Sequence, residues 1–68
     1  MKSKFSQNVA LFRKQMNLTQ REMAKLSGVS QKSIDNYEKD QVEPKLTALI
    51  KLAKFFGVSI DYLVGLED

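Results

Sequence analysis

The chain of 68 residues contains no cysteine and no histidine. The first absence removes disulfides and thiolate metal sites. The second removes imidazole catalysis and the usual zinc ligand sets. No apolar run is long enough for a membrane span or the core of a signal peptide, and the start MKSKF does not lead into one. A reduced, cytoplasmic setting is expected, with no metal and no cofactor. A glycine loop able to cradle phosphate is also missing, as is any nucleophile set beside a base, so catalysis is not expected. There is no internal repeat, low-complexity segment or strand pattern. A chain of this size makes one domain, residues 1–68, with a small stability margin. Its 43% hydrophobic content is ordinary for a folded protein. Eleven basic against eight acidic side chains give a net charge of +3. That bias is compatible with nucleic acid and equally with solubility alone, so placement has to decide.

What is present centres on residues 19–37, TQREMAKLSGVSQKSIDNY. Thr19 with Glu22 three residues later is a capping box, which starts a helix at Gln20. Met23 and Leu26 supply its inward face, and Ala24 is small enough to admit a second helix. Gly28 stops it, because the residue after a helix often takes the left-handed conformation. Ser30 caps the next helix, and Ile34 and Tyr37, one turn apart, anchor it to the core. This is a helix-turn-helix pattern at residues 20–38. Leu18 with Met23, Val29 with Ile34, and Val58 with Leu63 form hydrophobic staples at three helix starts.

Before this motif, Met1 to Lys4 reads as a short polar arm, and Phe5, Val9 and Phe12 mark an amphipathic first helix. That helix should end at Gln15 or Met16, with Asn17 in the left-handed turn position. Residues 40–44 are irregular, since Pro44 disfavours a helical Glu43. Leu46, Leu49, Ile50, Ala53 and Phe56 then form the stripe of a fourth helix, ended by Gly57. Ser59 caps a last helix from Ile60 to Val64 or Gly65. Five short helices make the expected fold all-α.

The run LTQREMAKLSGVSQKSIDNYE, the arginine six residues before Thr19 (Arg13), and the closing LAKFFGVSIDYLV resemble the DNA-binding domain of phage Cro and repressor proteins. The resemblance spans nearly everything from Phe5 to Leu66. It implies a compact five-helix, lambda-repressor-like domain whose third helix, about 31–39, enters the major groove of double-stranded DNA. It also implies a transcriptional regulator, a repressor, bound as a two-fold homodimer to a pseudo-palindromic operator. There are departures. Lys45 stands where the family often has a capping residue, Asp40 and Glu43 occupy a loop that is commonly basic, and Phe55 fills a place often smaller or polar.

On a helical wheel, Lys32, Asn36 and Lys39 face away from Ile34, flanked by Asp35, and Gln31 and Ser33 project from the first turn. Gln31 can make a two-pronged bond to adenine, and Lys32 can donate to guanine. Ser33 suits either base, and Asn36 a base or a phosphate. The bland alternative is a solvated polar face. Within the resemblance, Gln20 bonds a phosphate at the helix start, although glutamine is also a good first-turn residue. Arg21, Lys39 and Lys45 are further phosphate candidates or plain solubility charges. Arg13 and Glu38 correspond to a family pair joining helices one and three; two independent surface charges are the alternative. Phe55, Ile60, Tyr62 and Leu66 are the candidate dimer surface, unless they only cover the bottom of a small core. A protein-interaction or antitoxin-like module of the same fold is the competing function. It would want a more apolar third helix than Gln31, Lys32, Asn36 and Lys39 provide.

Overall fold

Side chains cap four of the five helix starts among the described residues, which are 2–67 of this computed structural model. Met1 of the expected arm and Asp68 lie outside them. Helix α1 is Lys4–Gln15, α2 Gln20–Ser27, α3 Gln31–Glu38, α4 Leu46–Phe56 and α5 Ile60–Val64, with no strand among the described residues. Ser3, Thr19, Ser30 and Ser59 each accept the backbone N–H three residues on. At α2 the box is complete, because Glu22 Oε1 accepts the Thr19 N–H at 2.9 Å. Lys45 precedes α4 without a side-chain cap, and the exposed residues 45–47 leave that start open to solvent. Asn17 takes the expected left-handed conformation, φ 58°, and Asp40 does so too, which the sequence did not signal. Gly65, φ 88°, is required twice over: a Cβ there would lie 2.5 Å from Lys4 Cγ.

The core joins Phe5 and Val9 of α1, Met23 of α2, Ile34 and Tyr37 of α3, Leu52 and Ala53 of α4, and Leu63 of α5. The first member of each staple pair lies in this core or against it: Val29 is buried, and Leu18 and Val58 pack on its edge. Helix α1 packs against α3 and α5, α2 against α3 and α4, and α4 against α5. Two buried polar residues hold α1 between its neighbours. Ser6 Oγ donates to the Glu38 backbone carbonyl at 2.8 Å, and Asn8 Nδ2 donates to the Leu63 carbonyl at 3.0 Å. Because both are bonded, their burial carries no unmet desolvation cost.

Two expected stripes are corrected. Leu26 is not on the inward face of α2; it is 64% exposed. At about 100° per residue it falls on the opposite side of Met23 from Gln20, Ala24 and Ser27, the half-buried positions. On α4, Leu46 is 66% exposed and Ile50 also faces outward, whereas Leu52 is fully buried. The apolar arc of α4 is wide enough for two overlapping i, i+3, i+4, i+7 sets. The one actually turned inward is Leu49, Leu52, Ala53 and Phe56. Leu52→Ala should therefore lower the unfolding free energy by about 2–5 kcal/mol in urea titration, and Leu46→Ala by less than about 0.5 kcal/mol.

Candidate nucleic-acid interface

Ile34 and Tyr37 hold α3 from below, Tyr37 meeting Phe5 edge-on with ring centroids 5.5 Å apart. The opposite face carries Gln31, Lys32 and Lys39 exposed, with Ser33, Asp35 and Asn36 half-buried beside them. Ser33 Oγ accepts from Ser30 Oγ at 2.9 Å, which leaves its own hydrogen free to donate outward. The four base-contact candidates thus lie on one helix, three of them in its first turn, where Gln31 and Lys32 are exposed. Arg21 is exposed on α2, and Lys45 is exposed at the start of α4. An unforeseen basic residue, Lys51, donates to the Gly28 carbonyl at 3.3 Å and so serves the turn of the motif.

Beneath this face runs a chain of charges. Arg13 Nε and Nη2 meet Glu38 Oε2 and Oε1 at 2.7 and 2.9 Å, a two-pronged pair joining α1 to α3. Arg13 Nη1 also donates to the Leu18 carbonyl at 2.9 Å, tying in the approach to α2. Gln20 Nε2 donates to Glu38 Oε1 at 3.3 Å and to Asp35 Oδ1 at 3.4 Å. Asp35 Oδ2 in turn sits 2.8 Å from Lys39 Nζ, one turn along α3. Burial alone would raise the Glu38 pKa, but hydrogen bonds from Arg13 and Gln20 and the arginine charge outweigh it and hold the carboxyl below the usual range. The Glu38 hydrogen bond raises Arg13 correspondingly. Asp35 is lowered first by Lys39, with a smaller share from Gln20.

The loop acid Asp40 is used internally. Its two carboxylate oxygens accept the Ser3 N–H and Oγ–H at 2.9 and 3.0 Å, placing negative charge at the start of α1. The expected dimer residues are spread in depth. Phe55 and Ile60 are half-buried against the core. Tyr62 stacks parallel on Phe12, with centroids 6.1 Å apart, and Leu66 is 78% exposed. Leu11 and Met16 of the α1 side, which the sequence did not mark, are also exposed near Tyr62. Among the described residues no helix is long and apolar enough to cross a membrane.

A helix-turn-helix family model, HTH_3, matches residues 9–63, the whole stretch from the middle of α1 to Leu63. The chain belongs to this helix-turn-helix family. It is 46% identical over 52 residues to the uncharacterized HTH-type transcriptional regulator MJ0272 of Methanocaldococcus jannaschii, covering 76% of this chain and 79% of that protein. Against the cryptic phage CTXphi transcriptional repressor RstR of Vibrio cholerae it is 42% identical over 61 residues, 90% of this chain and 55% of RstR. The crystal structure of a transcriptional regulator from Listeria innocua superposes with a TM-score of 0.83 at 29% identity, covering all of this chain and 64% of that one. The chain spans about half the length of several such relatives, 57% and 55% in two cases.

In this helix-turn-helix domain the Arg13–Glu38 pair makes a pH-dependent contribution to folding. A carboxyl whose folded pKa is depressed stabilises fully above its unfolded value, near 4.5 for Glu38, and loses that term as pH falls through the lower folded value. Glu38→Gln should cost about 3 kcal/mol at pH 7 by stranding Arg13, and its melting temperature should fall less steeply than wild type below about pH 4.5.

Proposed function

We propose that this domain is a sequence-specific double-stranded DNA-binding regulator of transcription, acting as a repressor in the cytoplasm. Binding rather than catalysis is its activity. The observation that carries this reading is the exposed first turn of α3, where Gln31 and Lys32 stand free above the buried anchors Ile34 and Tyr37. In this docking geometry the first turn of the second motif helix reaches base edges in the major groove. Family membership supports the reading, and the similarity to a named phage repressor favours repression. Gln31 and Lys32, with Ser33 and Asn36 beside them, read bases. Gln20, Arg21, Lys39 and Lys45 approach the phosphates.

Selection from random duplexes should yield a preferred pseudo-palindromic site. Gln31→Ala and Lys32→Ala should each weaken that site by about 1–3 kcal/mol and flatten its base preferences. Equal losses on selected and random duplexes would rule out base reading by these two side chains.

The operator is bound by a homodimer, which places two α3 helices in successive grooves about 34 Å apart. Apolar side chains of the α4–α5 end, Phe55, Ile60, Tyr62 and Leu66, join the copies. The exposure of Tyr62 and Leu66 supports this, and Leu11 and Met16 extend the same apolar surface. Phe55→Ala with Tyr62→Ala should keep the helical circular dichroism but abolish cooperative filling of a site with two half-sites. Cooperativity retained in a folded double variant would exclude this interface.

A further inference from the structure

Two of the phosphate candidates, Gln20 and Lys39, are already engaged by one carboxylate in the free protein. Asp35 Oδ2 holds Lys39 Nζ at 2.8 Å, and Asp35 Oδ1 accepts from Gln20 Nε2 at 3.4 Å. The second hydrogen of the Gln20 amide is spoken for as well, by Glu38 Oε1 at 3.3 Å. The amide cannot turn round without cost, because its oxygen would then face two carboxylates. Both bonds from Gln20 are long and therefore weak, and the Asp35 and Lys39 side chains are 37% and 57% exposed, so an incoming anion can compete for the same donors. A carboxylate with two acceptor oxygens offers these donors what a phosphate with two free oxygens offers.

We propose that Asp35 is a positioning residue that stands in for a DNA phosphate: in the unbound domain it occupies Lys39 and Gln20, and DNA must displace it to gain them. Asp35 thereby keeps the two donors oriented toward one point and sets a lower affinity for DNA of any sequence. This rests on the reading of α3 as the DNA-facing helix. The consequence is a limit on occupation of non-operator DNA, where affinity comes almost wholly from phosphates. Asp35 does not read sequence in this arrangement, because phosphates are the same at every base step.

The test needs no operator. Binding of the whole chain to a random-sequence duplex is measured by fluorescence anisotropy at fixed salt, for wild type, Asp35→Asn and Asp35→Ser, each first checked for cooperative thermal unfolding. Both variants should bind about three-fold tighter or more. Asp61→Asn, which removes the same charge from α5, away from α3, should gain clearly less. In a Gln20→Ala, Lys39→Gln background the gain from Asp35→Asn should largely vanish, since its donors are gone. Unchanged or weaker binding by folded Asp35 variants overturns the proposal. So does a gain that persists in the donor-free background, which would reflect net charge alone. On a selected duplex the gain should match that on random DNA; a changed base preference would make Asp35 a base-reading residue and overturn the proposal too. Wild-type protein that binds no duplex refutes the DNA-binding reading itself, whereas binding without an Asp35 effect refutes only this inference.

Discussion

The two-pronged Arg13–Glu38 pair is the constraint on which the placement of α3 depends. Glu38 is held to α1 twice, through its carboxylate by Arg13 and through its backbone carbonyl by Ser6. The same arginine reaches the Leu18 carbonyl, so α1, the approach to α2 and the end of α3 meet at one guanidinium. Few side chains other than arginine could do this, because the planar fork supplies several donors in fixed directions. The pair is largely hidden from water, with 14% and 10% of the two side chains exposed. Desolvation therefore works against the glutamate, and the hydrogen bonds from Arg13 and Gln20 together with the arginine charge outweigh it.

Helix α1 separates two surfaces of different chemistry. Ser6 and Arg13, two turns apart, lie along its α3 side. Asn8 and Phe12 lie along its α5 side, bonding the Leu63 carbonyl and stacking on Tyr62. The polar face of α3 and the apolar surface around Tyr62 are consequently on different flanks of the same helix. A second copy bound at the apolar flank need not cover the donors at the other. The two surfaces stay apart even though the radius of gyration is only 10.6 Å.

Charge placement matters more here than net charge. The excess of three positive charges is not concentrated on α3, whose own sequence carries Lys32 against Asp35 and Glu38. Two of its neighbouring acids are spent inside the fold: Glu38 on Arg13, and Asp40 on the start of α1. Asp35 alone remains beside the exposed donors. The loop that carries Asp40 and Glu43 thus works as a clamp on the N-terminal segment through Asp40.

Local chemistry was legible in the residues themselves. The caps Thr19, Ser30 and Ser59 and the turn residues Asn17, Gly28 and Gly57 act within a few positions of where they stand, so they located three helix starts and three helix ends, and the spacing of Ile34 and Tyr37 marked the buried side of α3. The polar outward face of α3 followed from the same periodicity once the buried side was known. Tertiary structure decided everything that depends on which neighbour a face meets. Leu26, Leu46 and Leu52 are alike in composition and plausible on either side of their helices; only the packing of α2 and α4 separates the exposed pair from the buried one. Ser6, Asn8 and Asp40 look like surface polar residues until distant segments bring a backbone carbonyl or the Ser3 hydroxyl within bonding distance. The Asp35–Gln20 contact crosses fifteen positions between two helices, and no periodicity encodes a hydrogen bond whose geometry exists only after both helices have docked.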